Sequence, residues 1–141
     1  MSELRDKIDE SMTEKEFNQQ VIELARLCGW LVYHTWTSIH SANGFPDLCL
    51  VKKLFSGDII ALVVEEKSEK GKISTFQIEW LELLGGVNGI FAFIWIPSQF
   101  DEIVKVLQAR GIPDVIKVWK KHVLFAKSRF GLNLAIQTKW R

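Results

Sequence analysis

The 141-residue chain has 48% hydrophobic and 25% charged residues and a formal net charge of +1, a composition that excludes disordered and fibrous proteins and fits one globular domain with a substantial core. No apolar run approaches the length of about 20 residues that a membrane helix needs, and Met1–Glu10 is charged throughout, without the apolar centre of a signal peptide. The near-neutral total hides an asymmetry: residues 1–111 hold 11 basic and 16 acidic side chains (−5), and residues 112–141 hold seven and one (+6). Such a split marks either a segment that meets nucleic acid or another anionic surface, or a solvated basic face.

Residues 1–12 show no apolar stripe and read as a frayed, flexible lead-in. Thr13-Glu14-Lys15-Glu16 fits a capping box and opens a helix over about residues 14–27, with Phe17, Val21, Leu24, Ala25 and Cys28 on its inner face. That spacing puts Glu14 on the rim of the packed face and Glu16 on the wet side, so Glu14 is the better candidate for chemistry; complementing the helix N-terminus is its plainer role. Gly29 ends the helix, and Trp30–His34 reads as the first strand. A polar stretch follows with Trp36, His40 and Asn43, where His34 and His40 read either as phosphate or metal contacts or as ordinary hydrogen-bonding residues. Cys28 and Cys49 stand far apart without zinc-ligand spacing, as buried free thiols of a cytoplasmic protein would.

The turn Gly44-Phe45-Pro46-Asp47 leads into a second strand, Leu48–Lys53, and Ile59–Lys67 forms a third whose apolar run expects burial on both faces. The two-residue period of a strand places Glu65 and Lys67 on one face and Glu66 on the other. Ser68–Lys72 is a charged, mobile connector. Ser74-Thr75-Phe76-Gln77 is a second capping box that opens a helix stopped by Gly85-Gly86, and Gln77 reads first as a cap. Gly89–Ile96 is a fourth strand. Ser98, with Asp101 at the box position, is expected to cap a helix running to about Gln108. Past Gly111 the pattern weakens: Lys117, Lys120, Lys121, Lys127, Arg129, Lys139 and Arg141 interleave with Trp119, Phe125, Phe130 and Trp140. The mix suits phosphate contact with base stacking, and equally a short helix or strand pair packed on the core with its lysines outward.

Helix, strand, hairpin, helix, strand, helix gives an α/β fold with a mixed sheet covered by helices. If the second and third strands pair, Asp47 comes beside Glu65, and two carboxylates meeting there repel unless a cation lies between them. Hard oxygen ligands suit magnesium or manganese. Lys67 is then placed to orient a water or to neutralise charge on a phosphoryl transition state, whereas the plainer alternative is a surface ion pair.

Pro46-Asp47, Glu65-x-Lys67 and Gln77 resemble the PD-(D/E)xK, or restriction endonuclease-like, nuclease superfamily, and with Thr13-Glu14 and Gly44-Phe45-Pro46-Asp47-Leu48 the chain resembles the stand-alone VRR-Nuc domains of phages and bacteria over about residues 13–108. It departs from many relatives in carrying Glu66 for an apolar residue and Asn18 for a glutamine. The resemblance implies an αβββαβα core with a basic extension at residues 109–141. It implies a magnesium-dependent (or manganese-dependent) deoxyribonuclease that cuts branched, flap or junction DNA, working as a homodimer. Asp47, Glu65 and the Glu66 carbonyl would ligate the metal, Glu14 would add an acid from the first helix, Lys67 would act on water, and Gln77 would join from the second helix. An inactive DNA-binding module of the same fold, gripping through the basic extension, is the alternative. A protein-binding factor displaying Trp36, Trp95 and Trp119 is a third reading.

Overall fold

A computed structural model describes residues 2–35 and 43–135. Helices α1 (Ser2–Ser11) and α2 (Glu14–Leu27) precede strands β1 (Leu31–His34), β2 (Leu48–Lys53) and β3 (Ile59–Glu66). Helix α3 (Thr75–Gly85), strand β4 (Ile90–Trp95), a 3-10 turn at Pro97–Gln99 and helices α4 (Phe100–Leu107) and α5 (Ile112–Phe130) follow. The strands lie in the order β1-β2-β3-β4, with the first two pairings antiparallel and β3–β4 parallel. This is the α/β architecture with a mixed sheet expected from the sequence, and it is consistent with a restriction endonuclease-like core.

Both expected capping boxes form. Thr13 Oγ1 accepts from the Glu16 N–H while Glu16 Oε1 accepts from the Thr13 N–H, and Ser74 and Gln77 exchange the same pair of bonds. Each removes orphan donors at a helix start, which is why these helices begin where they do. The central strands are buried on both faces: Leu62, Val64, Phe91, Phe93 and Ile94 have no exposed surface. They pack against Phe17, Val21 and Ala25 of α2 and Leu81 of α3 in one continuous core.

Several expectations are corrected or resolved here. Residues 2–11 form helix α1 rather than a frayed segment; none of its side chains is buried, so no apolar stripe announced it, and Arg5 ties it to Asp101 of α4 through a 3.0 Å contact. Ser98 caps nothing: it lies in the 3-10 turn, and its own N–H donates to Glu69 Oε1. The region past Gly111 is one 19-residue helix whose face of Val115, Val118, Trp119, His122, Val123 and Ala126 enters the core. Trp119 is therefore a core residue with its indole N–H donated to the Ala135 carbonyl, and the packed-helix alternative holds over base stacking. Trp95 and Trp119, both buried, cannot display a partner surface. Cys28 and Cys49 are free as expected but only half-buried. Trp36, His40, Lys139, Trp140 and Arg141 lie outside the described residues.

Helix α5 runs with β3. Its start lies beside the β2–β3 turn, where Ser56 N–H donates to the Arg110 carbonyl, and its end lies beside the connector after β3, where Arg129 donates to the Glu69 carbonyl at 2.6 Å. A helix of this length spans about 28 Å, so the basic residues of α5 are spread from one end of the sheet to the other.

Candidate active site

Leu48 pairs with Val64, so the register places Asp47 opposite Glu65 at the end of the β2–β3 ladder. β2 stops there while β3 continues, leaving a strand N–H unpaired. The Asp47 carboxylate takes it: Oδ2 accepts from the Glu66 N–H at 2.8 Å. Because the N–H and C=O of one strand residue project to the same edge, the Glu66 carbonyl lies on this edge as well.

The turn that carries Asp47 is fastened to α3. Gly44 has φ +83°, and a Cβ there would fall 2.5 Å from the Phe76 carbonyl carbon and 2.7 Å from the Gln77 nitrogen. Only glycine permits both the left-handed conformation and this approach. Phe45 packs edge-on against Trp80 with centroids 5.0 Å apart, and the Trp80 indole N–H donates to the Asn43 carbonyl. The same helix start thereby positions Asp47, through the turn, and Gln77 directly.

Gln77 does two things at once. Its amide oxygen caps α3, and its amide nitrogen donates to Glu65 Oε2 at 2.9 Å. Lys67 Nζ stands 3.5 Å from that same oxygen, with a side chain 13% exposed. Lys67 is thus no surface ion pair. Asp47, Glu65, Lys67 and Gln77 converge on the α3 side of the sheet end.

Glu14 lies elsewhere. It lines, with Lys15, Asn18, His34, Asp47 and Glu66, a cavity of about 460 Å³ on the α2 side. Asp47 is common to both sides. Period-two alternation had set the Glu66 side chain apart from the Glu65 group, and it does point away, but it enters this second cavity; nothing in the strand pattern shows that the opposite face is hollow there. His34 contributes Nε2, 3.4 Å from Asn18 Nδ2.

The electrostatics are those of a site short of positive charge. Glu65 and Glu66 are 3% and 2% exposed. Burial, then the neighbouring Asp47 charge, pushes the Glu65 carboxyl up to about 8 against the opposing pull of Lys67. Burial followed by the charges of Asp47, Glu65 and Glu14 pushes Glu66 up to about 9. Glu65 Oε1 and both Glu66 carboxylate oxygens have no hydrogen-bond partner. Buried carboxylates are normally paired or bound to metal. Among the described residues no three His, Cys, Asp or Glu side chains form a ready-made cage.

The VRR-NUC domain profile matches residues 8–94, more than half of the chain. The protein belongs to this family and carries a nuclease-type domain. Searches of curated proteins and of solved structures each returned no match. Among the described residues, no helix is long and apolar enough to cross a membrane.

Proposed function

We propose that the protein is a divalent-metal-dependent deoxyribonuclease of the PD-(D/E)xK type, acting on branched, flap or junction DNA. One observation carries the reading: the buried Glu65 carboxylate, held at one oxygen by Gln77 and Lys67 and left without a partner at the other, faces Asp47 across the end of the sheet. Asp47, Glu65 and the Glu66 carbonyl would hold magnesium or manganese. Such a cation supplies charge neutralisation at the scissile phosphate and lowers the pKa of an attacking water.

The chain's own residues do the rest. Gln77 fixes the Glu65 oxygen it donates to, and the other oxygen is left without a hydrogen-bond partner. The Lys67 ammonium, largely enclosed beside Glu65, offers its remaining donors to a phosphate oxygen or a water and offsets negative charge as the phosphorane-like transition state forms. Gly71 closes over its stem: a Cβ there would sit 3.0 Å from Lys67 Cβ. Glu14 stands across Asp47 on the α2 side and adds negative charge there.

Substrate grip follows from where α5 ends. Arg129 lines one pocket with Lys70 and Lys72 of the connector, and Lys127 lies in the same last turn of α5, so these residues would hold the DNA strand entering the site. Lys117 and Lys120 lie toward the far end, and Lys121 is engaged by Glu102 at 3.0 Å. Lys139 and Arg141 complete the basic set in sequence. The homodimer belongs to this proposal too; exposed Leu31 and Tyr33 on β1 supply an apolar strand for it.

The test is cleavage of duplex, single-stranded, flap and four-way DNA with magnesium or manganese. Asp47→Ala and Lys67→Ala are each expected to lower the rate by about 10²-fold or more. Metal-dependent cutting that survives either change would overturn the site. Tight, salt-sensitive DNA binding with no cutting by the native chain on any substrate would favour an inactive binding module.

A further inference from the structure

The backbone of Lys67 is fixed by the sheet, its N–H donating to the Trp95 carbonyl at 3.0 Å. Pairing of that kind sets the Cα and leaves a flexible four-carbon stem free to turn. The stem is nevertheless enclosed, with the side chain 13% exposed. The connector turn lies against it: a Cβ added at Gly71 would fall 3.0 Å from Lys67 Cβ and 3.3 Å from Lys67 Cδ.

A charged surface connector is ordinarily mobile, but hydrogen bonds tie this one down. Within the turn, the Gly71 N–H donates to the Ser68 carbonyl at 2.9 Å. From outside, the Ser98 N–H donates to Glu69 Oε1 at 2.9 Å and Arg129 Nη2 donates to the Glu69 carbonyl at 2.6 Å. The arginine bond is charge-assisted, the stronger kind. Both outside partners lie beyond residue 94, where the family match ends. A guanidinium that only gripped DNA would keep its donors in solvent. Arg129 spends one on the main chain, and its guanidinium carbon lies 5.8 Å from the centre of the Phe130 ring, which packs on the core.

We propose that Arg129 is a positioning residue for Lys67: by clamping the Glu69 carbonyl it holds the connector turn against the Lys67 stem and so sets where the ammonium stands. Glu69, bonded through its main chain to α5 and through its side chain to the turn before α4, is the point where the clamp closes. The inference rests on the reading of Lys67 as the group that acts on water or phosphate. It gives the end of α5 a role in the reaction beyond substrate grip, since the other Arg129 donors remain for DNA.

Two measurements on the full chain test it. The first is the rate of reductive methylation of the Lys67 amine without DNA or metal, read by mass spectrometry. The second is the single-turnover cleavage rate at saturating DNA, which weakened grip alone does not change. Arg129→Ala is expected to speed Lys67 labelling about threefold or more and to lower the saturated rate about tenfold. Glu69→Ala, which removes an acid and so cannot weaken DNA binding through charge, is expected to move both in the same direction by less. Lys127→Ala is expected to leave Lys67 labelling at the native rate. Far-ultraviolet circular dichroism and the melting temperature confirm that each variant folds. Arg129→Ala that weakens DNA binding while labelling and saturated rate stay native overturns the clamp and leaves the nuclease reading standing, and faster labelling with an unchanged saturated rate overturns it equally. Faster labelling in both variants of a chain whose native form cuts no DNA upholds the clamp on Lys67 and overturns the nuclease reading instead.

Discussion

At two places on the sheet a strand N–H has no neighbouring strand to pair with, and a side chain accepts it. At the outer edge of β4 the Ile94 N–H donates to His122 Nε2 at 3.1 Å; at the end of β3 the Glu66 N–H donates to Asp47 Oδ2 at 2.8 Å. His122 is enclosed by Phe93 and Trp119, and burial holds its pKa down to about 3. It stays neutral, with the ring proton on Nδ1, and brings no charge into the core. Asp47 performs the same backbone service with a carboxylate, beside two further buried carboxylates. The first arrangement completes a fold, whereas the second leaves a demand for positive charge that the fold does not meet. Such an unmet demand for charge marks a candidate site, whereas a satisfied group such as His122 serves the fold.

The largest way to break the contrast is Gly44→Ala. The added Cβ collides with the α3 backbone in a conformation alanine disfavours, so the Asp47 turn must leave Gln77. The expected cost is at least about 2 kcal/mol of stability and a fall in cleavage of about 10²-fold, measured by denaturant melts and single-turnover rates.

A smaller effect is the opposed pH dependence of the two places. Glu65 and Glu66 have folded pKa values raised to about 8 and about 9 from 4.5, so the folded state binds more protons than the unfolded one across that window. With a chelator present, their contribution is expected to be full below pH about 4.5 and to be lost as pH rises through 8 and 9. His122 has the reverse sign: its contribution is full above about 6.5 and is lost as pH falls toward 3. Melting temperatures across pH, repeated with manganese, check this; manganese is expected to flatten the alkaline loss and leave the acid loss unchanged.

The smallest effect concerns the two ends of α5. Replacing Lys127 and Arg129 by alanine is expected to weaken duplex binding and lower the slope of log affinity against log salt by about 1 to 2. Replacing Lys117 by alanine is expected to leave the slope unchanged.

Much of the site was legible because it rests on local rules. A capping box fixes the start of α3, strand alternation puts Glu65 with Lys67, and hairpin pairing puts Asp47 beside them. Gln77 read as a cap by spacing and as a site residue by resemblance; its amide oxygen makes the cap and its amide nitrogen meets Glu65, because a glutamine has two ends. The Glu66 cavity was not legible, since a period of two assigns a face without saying what covers it. Helix α5 did carry a signal in Pro113 and Asp114 at its first turn, Gly131 at its stop and helically spaced apolar residues between them. Its lysines and aromatics, read together as a nucleic-acid grip, obscured that spacing. Helix α1 offered none, having no buried face.

The central claim is that the sheet end between Asp47 and Glu65 holds a divalent cation. An anomalous-difference map from crystals grown with manganese tests it most directly. The account predicts a strong peak at about 2.0 to 2.2 Å from an oxygen of each of Asp47 and Glu65. A map with no peak between them, in crystals where the Glu65 carboxylate is paired with protein donors alone, would contradict it.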